Sequence, residues 1–324
     1  MLSKSVRSLL VGVLASASLA VAWPAAAGVP AARTATVSQA RVTSHFDLSA
    51  GQMPENIVVE PDGAVDLSFA GARQIVRIDH RGAIHVLATL PLPADGGANT
   101  PVLKFPLVTG LVLAPGGTLY FLYATGTADL TGVWRLNPGG TPHRIAALPA
   151  DGLPNGLALD PHSRQLYATD SVRGVIWRVP TSGGTPTSWA AGPELASTGF
   201  LGANGIKVHD GAVWASNLDR GTVLRYPVTR TGAAGAPRTV ADGLAGVDDF
   251  DFLPHGDRIL AALNAPDQVA LIEPDGSHTV VLSAEDGLRN PTAVAVDGST
   301  VHVPSAAYTE QDPNLLTARL RQHG

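Results

Sequence analysis

Six segments of this sequence open with a side chain that carries oxygen: Glu55-Asn56-Ile57, Thr109-Gly110-Leu111, Asn155-Gly156-Leu157, Asn204-Gly205-Ile206, Asp248-Asp249-Phe250 and Thr292-Ala293-Val294. Their first residues are separated by 54, 46, 49, 44 and 44 positions, so one structural unit recurs six times. If the fold carries the six first positions to one axis, two carboxylates, two carboxamides and two hydroxyls converge there. That is an all-oxygen ligand set, suited to a hard divalent cation, Ca²⁺ ahead of Mg²⁺ or Mn²⁺, with Zn²⁺ behind them. Two carboxylates in a narrow channel repel each other, and a cation between them offsets that cost. The same residue types have a second reading, because Asn, Asp and Gly also begin strands after turns. Glu55 has no comparable preference for turns, which favours a site.

The elements that must position these residues are short strands. In every segment the third and fifth residues are apolar, the period of a strand. A turn follows, then a second apolar run (64–69, 118–123, 165–170, 212–217, 258–263, 301–305). Third runs (74–79, 133–137, 175–180, 222–227, 268–273) and fourth runs (83–90, 143–148, 187–191, 238–241, 278–283) come after them. Four short strands per repeat of about 45 residues describe a propeller blade, so the sequence predicts an all-β, six-bladed β-propeller with four antiparallel strands per blade. The sixth repeat reaches its third strand at 315–320 and has no fourth. The stretch from Arg41 to Gly51 leads into Pro54-Glu55 much as His278 to Gly287 leads into Asn290-Pro291. An N-terminal strand is therefore expected to complete the last blade and close the ring.

Composition bounds the function. The chain has 324 residues, 45% of them hydrophobic, with 35 Gly and 25 Pro, which fits many tight turns around a substantial core. It has no cysteine, which excludes disulfides, a thiol nucleophile and thiolate metal sites. A formal net charge of −5 and the absence of a Lys/Arg run argue against nucleic acid as a partner. Lys4 and Arg7 precede an uncharged run from Leu9 to Ala22 and then Ala25-Ala26-Ala27, the pattern of a cleaved export signal. At about fourteen residues the run is short for a membrane span, which needs roughly 20. The expected organisation is a signal peptide at 1–27, a flexible leader at 28–40 and one propeller at 41–324. The mature protein is expected to be secreted, without stable membrane association. Gly-x-Ser-x-Gly, His-Glu-x-x-His, Walker and EF-hand patterns are absent. None of the ten histidines opens an inner segment.

Glu55, Asn155, Asn204 and Asp248, in blades one, three, four and five, resemble the metal and substrate constellation of the regucalcin/gluconolactonase family of six-bladed sugar-lactone lactonases, over about residues 41–321. Asn204-Gly205-Ile206 and Pro54-Glu55-Asn56 also resemble that family's inner-strand starts, although Glu55-Asn56-Ile57 stands where the family commonly has Glu-Gly-Pro. The resemblance implies that Glu55, Asn204 and Asp248 hold one divalent cation and that Asn155 faces the substrate or a metal-bound water. The implied activity is hydrolysis of a small-molecule lactone or related ester. Asp248, flanked by Asp249 and Asp251, is the candidate general base, because three nearby carboxylates raise the proton affinity of at least one of them. Asp249 itself reads as a solvated acid. Thr109, with Asp170 and Asn217 at the ends of second strands, would add substrate contacts, although the latter two also read as ordinary turns. The long connections at 91–105 and 192–203 supply Phe105 and Phe200, which with Tyr308 would form an apolar rim. Two other classes stay open: a non-catalytic ligand-binding propeller with a structural cation, and a propeller lyase or strictosidine-synthase-like enzyme.

Overall fold

The computed structural model describes residues 34–323, so the expected signal peptide at 1–27 and the first residues of the expected leader lie outside the described residues. Six four-stranded antiparallel sheets form the blades of a propeller. Their inner strands are Pro54–Val59, Leu107–Ala114, Pro154–Asp160, Ala203–His209, Val247–Phe252 and the short Ala295–Asp297. The reason for strands rather than helices is local: each run alternates apolar residues and is bounded by Gly, Asp or Pro turns too close together for a helix to develop. Alternate side chains on each face then bury against the neighbouring blades, and the core divides accordingly. One hydrophobic cluster lies at each of the six blade–blade interfaces. A seventh, around Leu107, Leu153 and Leu201 with Phe105 packed against it, underlies the long connections.

Closure follows the expected route, with an earlier start. Thr34–His45 is the outer strand of blade six, paired antiparallel with Asn314–His323. Residues 34–40 are therefore strand rather than leader: Ala35 and Val37 pack against the core between blades five and six. The likeness of the two connecting segments is also physical. Both outer strands run into a single 3₁₀ turn, Leu48–Ala50 and Ala284–Asp286, capped by Asp47 and Ser283 and ended by left-handed Gly51 and Gly287. Phe46, just past the closing strand, sets its ring edge-on to Phe69 of blade one, centroids 4.9 Å apart. Joining the first strand to the last blade leaves no ring edge to fray.

Inner strands approach each other closely at the channel. A Cβ on Gly156 would collide with the carbonyl of Asn204, and one on Gly205 with Asp249, so these positions admit only glycine. Every inner strand that is paired from its first residues carries a bulge there, between Pro54 and Asn56, Val108 and Leu111, Pro154 and Leu157, Ala203 and Ile206, and Val247 and Phe250. A bulge re-aims the side chains it contains. Here it marks the mouth of the channel, where the first-position residues sit.

Candidate active site at the channel mouth

Glu55, Asn155, Asn204 and Asp248 are all at the mouth and nearly buried, between 2% and 8% exposed. Asp248 is the hub. Its carboxyl is pushed well above the ordinary carboxylate range, first by burial and then by the charges of Glu55 and Asp249, while a side-chain hydrogen bond with Asn204 pulls the other way. The Asn264 amide lies 3.4 Å from its Oδ2. Glu55 is pushed up to about 7, first by burial; a hydrogen bond from Tyr308 opposes this and the charge of Asp249 adds to it. The structure thus brings together the acid of blade one, the amide of blade four and the acid of blade five. Neither Glu55 nor Asp248 makes an ion pair among the described residues.

Tyr308 makes a contact at the mouth that the sequence does not disclose. It had suggested an apolar rim, and the ring is indeed 42% exposed, but the hydroxyl donates to Glu55 Oε2. The loop that carries it is held by its own contacts. Asn290 Oδ1 accepts from the Thr309 amide at 3.0 Å and hydroxyl at 2.9 Å, Arg289 pairs with Glu310 at 3.1 Å, and Ala307 adopts a left-handed φ of 53°. Left-handed backbone at a non-glycine residue is costly and concentrates where a side chain must be aimed.

Beneath the mouth, Asp249 corrects the expectation of a solvated acid. It is 3% exposed, and its Oδ2 accepts from Lys207 Nζ at 2.5 Å and Asn56 Nδ2 at 3.0 Å. This trio spans blades one, four and five as a floor. Below it a cavity of about 650 Å³, walled mostly by aliphatic side chains, occupies the far end of the channel. Asp251 faces that cavity and also ties blade five to blade six, its Oδ2 accepting from the Val296 amide at 2.8 Å. Burial pushes its carboxyl up to about 6.

Other expected contacts are taken up by the fold. Thr109 is fully buried and donates its hydroxyl to the Pro154 carbonyl at 2.9 Å, and Thr292 does the same to Pro54 at 3.0 Å. Both stitch one inner strand to the next instead of offering oxygen to a ligand. Asp170 Oδ1 accepts from the amides of Leu153 at 2.9 Å, Val172 at 3.2 Å and Arg173 at 3.0 Å. Asn217 Nδ2 donates to the carbonyls of Glu194 at 2.9 Å and Ala196 at 3.1 Å. Their turn reading holds, and the second polar ring does not form. Asn155 differs: its Nδ2 donates to Ser171 Oγ at 3.1 Å, and no donor among the described residues reaches its Oδ1. Phe200 is 49% exposed, on a loop whose amides at 198–200 are gathered by Asp219 at 2.7–2.9 Å.

Among the described residues no three acidic or imidazole side chains form a metal-holding group. The mouth set is mixed: two carboxylates and the carboxamides of Asn155 and Asn204, all oxygen donors. Two buried acids with raised proton affinity, Asp248 in part through the charge of Glu55, and with no cationic side chain paired to either, fit a divalent cation.

Comparison with known proteins finds no matching family model and no matching curated relative. Solved structures share the architecture. A gluconolactonase from Xanthomonas campestris superposes with a TM-score of 0.61 at 14% identity, covering 89% of this chain and 97% of its own. A PQQ-bound aldose sugar dehydrogenase from Streptomyces coelicolor gives 0.62 at 15%, covering 90% and 99%. Virginiamycin B lyase from Staphylococcus aureus gives 0.57 at 17%, covering 81% and 79%. At these identities the likeness is one of fold, and the three chemistries differ while the ring is shared.

Proposed function

We propose that this chain is a hydrolase of the gluconolactonase-like propeller group that opens a small-molecule lactone or related ester at the channel mouth, and that it does so after export. The observation that carries the reading is the facing of Glu55 and Asp248, two buried acids from different blades with raised proton affinity and no ion pair. Glu55, Asn204 and Asp248 would hold the divalent cation, Ca²⁺ first among the choices. When bound, such an ion stabilises the negative charge that ester hydrolysis builds on the carbonyl oxygen.

The chain's own residues do the rest. Asp248, with its raised affinity for protons, accepts a proton from the attacking water, a contribution of roughly 10² to 10⁴ in rate. Asn204 orients that carboxylate through its side-chain hydrogen bond. Tyr308 fixes one oxygen of Glu55. Asn155 offers its unengaged Oδ1 to a hydroxyl or water of the substrate complex. The trio of Lys207, Asp249 and Asn56 lies across the channel beneath the mouth, so the mouth is the route by which substrate enters in this reading.

The test combines metal analysis with turnover. The protein is stripped by a chelator, reloaded with Ca²⁺, Mg²⁺, Mn²⁺ or Zn²⁺, and assayed on a lactone and ester panel alongside Glu55→Gln and Asp248→Asn. Cation-dependent turnover that both variants lose supports the reading. Bound cation with no turnover on any ester favours a ligand-binding propeller with a structural ion. No bound cation and no thermal shift on adding one overturns the site.

A further inference from the structure

On the face opposite the mouth, a cleft of about 760 Å³ lies between blade six and the turn at 79–83 of blade one. The register of blade six builds one wall of it. Arg41 on the closing strand lies opposite Thr317, which lies opposite His302, and the next row sets Arg319 opposite Thr300. Residues directly opposite one another share a sheet face, and so do residues two apart, so this row presents two guanidiniums, an imidazole and two hydroxyls to the cleft. Arg81, from the turn of blade one, faces them across it.

The charge here is opposite in sign to that of the molecule. The chain as a whole carries −5, yet three arginines and one carboxylate, Asp79, line this cleft. That carboxylate is already engaged, by His85 at 3.0 Å and by the amides of Arg81 and Ala83 at 2.9 Å each. His80 on the rim stands 4.0 Å from the exposed Asp62. The guanidiniums of Arg41 and Arg81 make no hydrogen bond or ion pair among the described residues, and Arg319 reaches only Ser299 Oγ, at 3.3 Å. His302 Nδ1 is out of solvent without a hydrogen-bond partner. Arginines grouped on one surface and left without carboxylates are a receptor for planar anions, which they take in bidentate fashion.

We propose that this cleft binds an acidic polysaccharide. Two features select that class. The lining contains no Phe, Tyr or Trp, so it lacks the large aromatic platforms on which single-stranded nucleic acids stack, and offers bases only the small rings of His80 and His302 and the guanidinium planes. It does offer the hydroxyls of Thr317 and Thr300 beside Arg41 and Arg319, with Ser44 further along the closing strand, which suit a chain that alternates anionic groups with sugar hydroxyls. Because the cleft opens on the face away from the mouth, a bound polymer leaves the channel entrance free. The proposal does not depend on the reaction at the mouth.

The experiment measures affinity of the full chain for heparin, polygalacturonate and uncharged dextran, in chelator to exclude calcium bridging, at increasing salt. Three arginine contacts lead to a fall of roughly 20- to 40-fold between 50 and 200 mM salt by counterion release. Arg41→Ser, Arg81→Ser and Arg319→Ser combined should abolish that binding with an unchanged melting temperature, whereas Glu55→Gln should bind as the parent does. Binding to heparin alone assigns sulfate as the anion, and binding to polygalacturonate assigns carboxylate; either supports the cleft. Retention of neither polymer overturns the proposal, as does equal binding by the triple variant or a preference for duplex DNA over both.

Discussion

Asp248 and Asp249 are adjacent in sequence and both almost fully buried, yet they live in opposite electrostatic worlds. Asp249 turns to the channel floor, where Lys207 and Asn56 donate to it. Asp248 turns to the mouth, where it meets the field of Glu55 and only amide donors. A buried charge must be paired, hydrogen-bonded or neutralised. The floor meets that demand with an ammonium from the chain itself; the mouth leaves it to a proton or a metal ion from outside. The floor therefore reads as architecture and the mouth, under the proposed function, as the place for chemistry.

The sharpest way to break this comparison is to neutralise one acid at a time. Asp248→Asn should lower turnover by roughly 10² to 10⁴, while the metal-free protein melts no lower than the parent, because a repelling buried charge has been removed. A metal-free melting temperature that falls by many degrees would place Asp248 with the structural acids. At the floor the signs reverse. Lys207→Met strands Asp249 without its ammonium and should cost about 3 kcal/mol, the lower end of the range for a broken buried pair because Lys207 is partly exposed. Equal melting curves for Lys207→Met and the parent would show that the floor pair is dispensable.

Proton linkage gives the next largest effect. Glu55 in the folded, metal-free chain titrates at about 7 against an ordinary 4.5. Between those values the native state holds a proton that the unfolded chain has released, so stability is highest at the acidic end. It declines as pH rises from about 4.5 to 7, by a total on the order of 3 kcal/mol. Asp251, raised to about 6, adds a decline of the same sign over its own window. Denaturant titrations from pH 4 to 8 should show that slope with chelator and a flatter one with Ca²⁺; a stability that rises through this range contradicts the unpaired mouth. The smallest effect is expected from Tyr308→Phe, which removes one donor to Glu55. About 1 kcal/mol, or roughly fivefold in turnover and in cation affinity by calorimetry, is the expected loss.

The predicted blades, their order and the closing strand match the observed sheets because alternation of apolar residues and turn chemistry are local properties, repeated six times. The mouth column was legible for the same reason: equal positions in equal blades reach equal places. Within that column, residue type alone did not separate roles. Thr109 and Asn155 occupy corresponding positions, but the threonine hydroxyl is within reach of the next blade's carbonyl, whereas the longer asparagine engages Ser171 through its amide and keeps its oxygen. Asp170 and Asn217 end their strands at the height of the mouth, and turn amides and carbonyls claim them first.

The repeat in the sequence determined a closed ring of six sheets with a column of oxygen side chains at its mouth, since both rest on short-range periodicity. Only the tertiary structure decided which acids carry partners. Lys207 lies 42 residues from Asp249 and Tyr308 lies 253 from Glu55. Contacts across such separations exist only once the ring has closed and packing has fixed where each side chain can turn.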